Sequence, residues 1–155
     1  MRILRLDGRH LVLALVTAFA ALPCHAAGVV TINVPWIRAA KGATVAEGYM
    51  ELRSSEAATL VGVTSELATS VTIRPPGKGS ATVPELALPA GKAVTLAPGR
   101  YWLAIANLAH PVELGDHVPL TLSIRDADGK QQEIAINAEV RHHSAIYDHL
   151  HGHAH

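Results

Sequence analysis

The chain of 155 residues contains a single cysteine and a single phenylalanine, and only 4% of its residues are aromatic. Both of these rare residues, Cys24 and Phe19, precede residue 27. The remaining chain therefore has no thiol, which excludes a disulfide, a thiolate metal ligand and a cysteine nucleophile. Any domain that follows must be stabilised by the packing of its core alone.

The sequence also lacks a charge excess and the usual catalytic motifs. Its 13 basic residues are balanced by 13 acidic ones, so composition gives no electrostatic reason to expect nucleic acid as a partner. There is no glycine-rich phosphate loop and no G-x-S-x-G motif, and no carboxylate pair is distinguishable from surface charge. We therefore expect that the protein is not an enzyme.

Residues 1–26 have the pattern of a cleaved secretory signal. Three early arginines precede "LVLALVTAFAAL" (11–22), an uncharged run of twelve residues that is too short for a mature membrane span. Cys24 and Ala26 occupy the −3 and −1 positions if cleavage precedes Ala27. An N-terminal anchor is the alternative. Lipidation of Cys24 is not expected, because Ala21 and Pro23 do not fit a lipoprotein signal. The sequence thus predicts a periplasmic protein without a membrane span after cleavage.

After residue 26, alternating apolar and polar residues recur between short turn segments and predict eight strands. Asp128–Gly129 is a strong hairpin signal, because glycine tolerates the positive φ that such a turn needs. No amphipathic helix of useful length is present. The pattern predicts one all-β domain over 27–140, an antiparallel β-sandwich with Greek-key connections, followed by a histidine-rich tail over 141–155. The predicted strands are 29–34, 47–53, 59–65, 70–74, 92–96, 101–107, 118–125 and 133–140.

Three segments, in order along the chain, resemble one known family. They are "VPWIRAA" (34–40), "GYMELR" (48–53) and "LPAGKAVTLAPGRYWLAIANLAHPVELGDHVPLTLSI" (88–124), and the resemblance extends over residues 30–140. On these segments the chain is similar to the PCu(A)C family of periplasmic copper chaperones. The resemblance implies a cupredoxin-like β-sandwich that works in copper delivery to exported copper enzymes.

The resemblance also implies a Cu(I) site of histidines and methionines, but this chain departs from it. The family's first histidine falls at Arg74 and its neighbouring methionine at Pro76, while the family's His-x-Met falls at Trp102 and Ala104. Arginine has no acceptor atom. Proline, tryptophan and alanine offer no side-chain lone pair for a metal. The chain is thus a divergent member in which the family's ligands are missing.

Other candidate residues have simpler interpretations. His110 and His117 are expected to be surface histidines of a loop, with a two-histidine auxiliary site as the alternative. Trp36 and Trp102 are expected to pack in or around the core, with a cation–π lid over a metal as the alternative. Arg38 is expected to pair with a carboxylate. The only methionine after residue 26, Met50, is expected in the core.

The tail "RHHSAIYDHLHGHAH" (141–155) contains six of the ten histidines. Alternate histidines project on one face of an extended chain, and imidazoles at i and i+2 reach one ion. A tag is not expected, since the histidines are interleaved with Leu, Gly and Ala. The tail is expected to be disordered without metal. The predicted ligands are His142, His143, His149, His151, His153 and His155.

Imidazole ligands without sulfur favour Cu(II) over the Cu(I) of the family, and zinc or nickel would also fit. The sequence therefore predicts a periplasmic copper-binding protein or chaperone that captures metal mainly through its tail. It would deliver or buffer the metal for an exported copper enzyme or assembly factor. Two alternatives stay open. One is a metal-free β-sandwich that acts as an interaction or assembly module, and the other is a zinc- or nickel-binding periplasmic protein.

Overall fold

A computed structural model of the protein describes residues 28–39, 43–77, 79 and 81–141. The predicted signal (1–26) and all six candidate histidine ligands of the tail lie outside these residues. Nine strands and no helix occur in the described part of the chain, which confirms the all-β prediction. The strands are β1 (Val30–Ala39), β2 (Val45–Ser54), β3 (Ala58–Thr64), β4 (Ala68–Arg74), β5 (Leu86–Leu88), β6 (Ala93–Leu96), β7 (Trp102–Leu108), β8 (His117–Asp126) and β9 (Gln131–Val140).

The strands form one sheet that folds back on itself, in the order β4-β7-β2-β1-β9-β8-β3-β5, with β6 paired to β2. All pairings are antiparallel except that of β1 with β9, which is parallel. The predicted antiparallel sandwich thus contains one parallel pairing, between its first and last strands. A three-residue connection joins β3 to β4, so β4, at one end of the path, packs near β3, which is next to the strand at the other end.

The sequence-based prediction did not include β5, and it ended β1 too early. β5 has only three residues, too few for an alternating pattern to be recognised. β1 continues to Ala39 rather than stopping at residue 34, because a bulge lets it pass through Pro35. The Asp128–Gly129 turn forms as predicted: Gly129 has φ 84°, and its N–H donates to Asp126 O at 3.1 Å.

The β1 bulge changes which side chains share a face. Asn33 pairs with Glu51, but Trp36 pairs with Tyr49, so β1 contains one more residue than β2 across this segment. Val34 lies in the bulge at φ 44°, a region that β-branched residues rarely adopt. Such strain costs about 1–3 kcal/mol and persists only where the surrounding structure fixes it. Because side chains alternate between faces, one extra residue exchanges the faces of everything that follows.

Apolar residues from both halves of the sheet meet in one core. Gly48 lies where β2 and β7 approach most closely, since a Cβ there would be 3.1 Å from Leu103 Cβ. Met50 is buried, as predicted. Eight large apolar side chains of this core are fully buried: Ile37, Leu52, Leu60, Leu103, Ile105, Val118, Leu122 and Ile124.

One polar group interrupts this core. Ser54 is fully buried at the end of β2, and its hydroxyl has no hydrogen-bond partner among the described residues. Burying an unpaired hydroxyl is unfavourable. The neighbouring Ser55 is exposed instead, and its hydroxyl accepts a hydrogen bond from Val29 N–H at 2.9 Å.

We predict that Ser54→Ala raises the free energy of unfolding by about 1 kcal/mol, because it removes a buried hydroxyl without a partner. Urea denaturation followed by circular dichroism measures this change. Ser55→Ala is the matched control and should be neutral or mildly destabilising, since it loses the bond from Val29. A Ser54→Ala protein less stable than the Ser55→Ala protein would contradict the prediction.

Candidate functional site

The bulge places a polar and aromatic group on the outer face of β1, β2, β7 and β4, opposite the core. Trp36 pairs with Tyr49 and Arg38 with Glu47, so these four side chains lie on one face. Their neighbours in the core direction, such as Ile37, are fully buried. Without the extra residue in β1, Ile37 would take the outer position and Arg38 would point into the core.

A single carboxylate oxygen connects three of these residues. Arg38 Nε donates to Glu47 Oε2 at 2.7 Å, and Arg38 Nη2 and the Tyr49 hydroxyl donate to the same oxygen. The ion pair is partly solvated, with 47% of the Arg38 side chain and 33% of the Glu47 side chain exposed. Ion pairs with this exposure contribute only about 0–1 kcal/mol to stability. The network therefore orients the side chains more than it stabilises the fold.

The aromatic rings support the network from below. The ring centroids of Trp36 and Tyr49 are 4.6 Å apart with planes inclined by 35°. The guanidinium carbon of Arg38 is 5.5 Å from the centroid of the Tyr49 ring, within cation–π range. Trp36 and Tyr49 are both buried. Trp36 was expected to pack in or around the core, and it is buried on the outer face beside the core. The carboxylate partner expected for Arg38 is Glu47.

These contacts change the pKa values of Tyr49 and Arg38. Burial, with the hydrogen bond to Glu47 and its negative charge, raises the pKa of the Tyr49 hydroxyl well above its usual value, against the opposing charge of Arg38. Burial lowers the pKa of Arg38, but the hydrogen bond to Glu47 and the nearby charges outweigh it, so the net change is upward. The site is thus a neutral tyrosine beside a charged ion pair at physiological pH.

A cleft of about 430 Å³ opens above this network, and we call it the outer-face cleft. Its floor contains Arg38, Glu47 and Tyr49. Trp102 and two turns complete the walls, one turn contributing Gly77 and Gly79 and the other contributing Pro98, Gly99 and Arg100. Arg100 is exposed, and its side chain makes no hydrogen bond or ion pair within the described chain.

The positions aligned with the family's copper ligands lie beside this cleft. Arg74 pairs with Trp102 across β4 and β7, and Thr72 pairs with Ala104, so Arg74, Trp102 and Ala104 share the outer face. Three of the four aligned positions therefore lie close together on the outer face, and the fourth, Pro76, is exposed in the segment after β4. Their side chains do not fit copper, however. Arg74 is a cation that donates to Ala81 O at 3.1 Å, and Trp102 and Ala104 have no donor atom for a metal.

The described chain offers no alternative metal site. Across residues 28–39, 43–77, 79 and 81–141, no group of three or more His, Asp or Glu side chains is arranged to hold an ion. His110 and His117 are both exposed, as expected of surface histidines. His110 Nδ1 is 3.3 Å from Pro111 O, and His117 lies opposite Glu139 at the start of β8.

The tail begins next to the outer face. Arg141, the last described residue, donates its N–H to Ile37 O at 2.8 Å, so it lies beside Arg38. Its side chain also binds Glu139, with Nε 2.8 Å from Glu139 Oε2. This hydrogen bond lowers the pKa of the Glu139 carboxyl, and the charges of Arg141 and His117 add to the effect while slight burial opposes it.

Sequence reasoning did not identify Glu47 and Tyr49 as members of a site. Both were included in strand segments, but their partnership with Arg38 depends on the bulge, which alternation alone does not reveal. Pro35 within a strand was the available signal, because proline is confined to strand edges and bulges. Arg100 was missed because it lies in a turn, where a single charge has no distinguishing pattern.

A family described as "Putative lipoprotein LpqE-like" matches residues 30–140. Among curated proteins, the chain is 32% identical over 126 residues to "Putative lipoprotein Lxx21020" of Leifsonia xyli subsp. xyli. That match covers 77% of this chain and 75% of the relative. In the described residues, no helix has the length and apolarity needed to span a membrane.

Solved PCuAC domains have the same fold. The apo PCuAC domain from PmoF1 is 25% identical with a TM-score of 0.62, covering 72% of this chain and 92% of that domain. The copper-bound PCuAC domain from PmoF2 is 27% identical with a TM-score of 0.60 and the same coverage. CuI-DR1885 from Deinococcus radiodurans is 26% identical with a TM-score of 0.53, covering 81% and 83%. The predicted resemblance and the predicted β-sandwich are thereby confirmed.

The raised pKa of Tyr49 predicts a specific loss of stability at high pH. Its contribution is complete below the pKa of an unfolded tyrosine, about 10, and is lost as the pH rises above that value, because the unfolded chain then releases the proton first. Urea unfolding of the wild-type protein and of Tyr49→Phe should therefore converge or cross between about pH 9 and 11.5. Absorbance at 295 nm should show that Tyr49→Phe lacks the last tyrosine to ionise. Parallel pH dependences of the two proteins would be inconsistent with this assignment.

Proposed function

Because this chain belongs to the LpqE-like lipoprotein family and shares the fold of PCuAC domains, we propose that it is an exported copper-binding protein that captures metal through its C-terminal tail. The ligands are His142, His143, His149, His151, His153 and His155. The β-sandwich provides the fold of a copper-binding family without its ligands. The tail provides a dense set of ligands in their place.

The start of the tail is the observation on which this proposal depends. Arg141 lies beside Arg38, and β7, with Trp102 and Ala104, is three strands away from β9. Three inter-strand spacings amount to about 14 Å. The fourteen residues after Arg141 span at most about 50 Å when extended. His149, which is eight residues after Arg141, and the three histidines that follow it are therefore far enough along the chain to reach the positions aligned with the family's ligands, whereas His142 and His143 stay near Arg141.

The charge of the outer face supports capture outside the sandwich. A copper ion at the family positions would lie next to Arg74, and close to Arg38 and Arg100. Like charges at short distance are repulsive, most strongly where water is partly excluded. Histidines on a separate segment avoid this repulsion and can arrange themselves around the ion.

Ligand chemistry sets the expected metal. Imidazole nitrogen without thioether sulfur suits Cu(II), zinc and nickel, and among divalent ions copper binds most tightly to such ligands. Each imidazole must be neutral to bind, and an unperturbed histidine titrates at about pH 6.5. In this function the tail takes up copper and either buffers it or passes it to an exported copper enzyme or assembly factor.

Deletion of residues 142–155 from the mature chain should abolish tight Cu(II) binding in a calorimetric titration at pH 7.5. The truncated chain retains Arg141 and its bond to Ile37, so circular dichroism should report an unchanged fold. In the intact chain, affinity should fall between pH 7.5 and pH 5.5 as the imidazoles become protonated.

The matched control keeps the tail and replaces the two histidines of the sandwich. His110→Ala combined with His117→Ala should leave Cu(II) binding unchanged. A truncated chain that still binds Cu(II) as tightly as the intact one would refute capture by the tail, and it would favour a metal-free or differently placed function. Competition between copper and zinc in the intact chain decides between a copper protein and a zinc- or nickel-binding one.

Export is proposed with cleavage before Ala27, which removes Cys24. The matching family and the curated relative are both described as lipoproteins, and Cys24 is the only residue that a thioether-linked lipid could use in this chain. The intact mass of protein purified from its native host should correspond to an unmodified chain starting at Ala27. A mass that corresponds to a lipidated chain starting at Cys24 would contradict this cleavage site, and it would indicate that the exported protein is tethered to a membrane.

A further inference from the structure

The outer-face cleft concentrates positive charge in a protein that is otherwise slightly acidic. After residue 26 the chain has ten basic and twelve acidic residues. Arg38 and Arg100 line the cleft, and Arg74 lies across from its Trp102 wall. Lys78 stands in the chain between two lining glycines, Gly77 and Gly79, although it is outside the described residues. A single acidic residue, Glu47, lines the same space.

The contacts leave this charge only partly neutralised. Glu47 Oε2 is committed to Arg38 and to the Tyr49 hydroxyl. Arg74 donates to the carbonyl oxygen of Ala81 at 3.1 Å. Arg100 projects from the turn after Pro98 and has neither an acidic nor a hydrogen-bonding side-chain partner in the described chain. The cleft is therefore electropositive, with one guanidinium available to a ligand.

The cleft also has an apolar wall. Trp102 is half-buried at the start of β7, so one part of its indole faces the open space. Pro98 contributes a second apolar surface, and the flanking glycines leave room because they carry no side chain. A volume of about 430 Å³ is in the range of small-molecule sites. A planar apolar group can pack against the indole while an anionic group meets Arg100.

We propose that the outer-face cleft binds a small carboxylate ligand with a planar apolar body. Arg100 pairs with the carboxylate, since a guanidinium fork matches its two oxygens. Trp102 packs against the planar body, and the Arg38–Glu47–Tyr49 network forms a rigid floor. The site thus takes an anion on the outer face, and it functions independently of the tail.

Benzoate and benzamidine test this proposal, because they share a ring and differ in the sign of their charge. Each is titrated into the metal-free mature chain while tryptophan fluorescence and calorimetric heat are recorded. Benzoate should bind and benzamidine should not. Inorganic phosphate, which has charge but no ring, should bind more weakly than benzoate. Raising the salt concentration from 0.05 M to 0.5 M should weaken benzoate binding, because the charges are partly exposed.

Arg100→Gln should weaken benzoate binding by about fivefold or more, as expected for loss of a partly exposed charged pair. The matched control is Arg53→Gln, an exposed arginine at the other end of β2, which should leave affinity unchanged. Trp102→Leu should also weaken benzoate binding but not phosphate binding. Arg100 lies in an exposed turn, so its replacement does not threaten the fold.

Three outcomes would overturn the proposal: no benzoate binding at millimolar concentration, equal binding of benzoate and benzamidine, or equal losses in Arg100→Gln and Arg53→Gln. None of these outcomes bears on the tail, because the titrations contain a chelator and no metal. Conversely, a tail that fails to bind copper leaves the benzoate result intact.

Discussion

The outer face depends on one extra residue in β1. The bulge at Val34 and Pro35 reverses the alternation of the strand, so that Trp36 and Arg38 meet Tyr49 and Glu47 rather than the core. The strained φ of Val34 is the local cost of this arrangement. The ion pair, the tyrosine hydrogen bond and the floor of the cleft all require that reversal. The core requires it equally, because Ile37 is fully buried only in this register.

The sequence was sufficient for the fold class because alternation, turn residues and strand length are local properties. Eight of the nine strands in the described chain follow from them, and the resemblance to PCu(A)C proteins supplied the arrangement. The parallel pairing of β1 with β9 is not local, since it joins the two ends of the domain and leaves no pattern in either strand. The three residues of β5 are also below the length at which alternation is informative.

The candidate sites also differ in how far they can be predicted from the sequence. The aligned segments predict that the family's ligands are missing at Arg74, Pro76, Trp102 and Ala104, and in the fold Arg74, Trp102 and Ala104 share the outer face. The cleft could not be identified, because Arg100, Glu47 and Gly77 are far apart in the chain and each is unremarkable alone. Its electropositive character arises only when β2, β7 and two turns are brought together. The histidines of the tail were prominent in the sequence, and they lie outside the described residues.

This chain differs from the resembling family in the charge of the side chains at one place in the fold. Where the resemblance implies soft neutral ligands that suit a monovalent copper ion, this chain has an arginine and an indole. A site altered in this way favours the opposite sign of ligand. In the function proposed above, the capacity to hold a cation is assigned to the segment that follows Arg141, away from these arginines.

The parallel pairing of the first and last strands has a geometric consequence. Val30 and the N–H of Arg141 lie on neighbouring strands, but Arg141 is level with Ile37, seven residues further along β1. At a strand rise of 3.3 Å per residue, the two ends of the domain are therefore about 23 Å apart along the strand direction. If the chain were held to a surface by its N-terminal end, the sandwich would act as a spacer. Arg141, the last described residue, would then lie on the side of the sandwich that is farther from the surface.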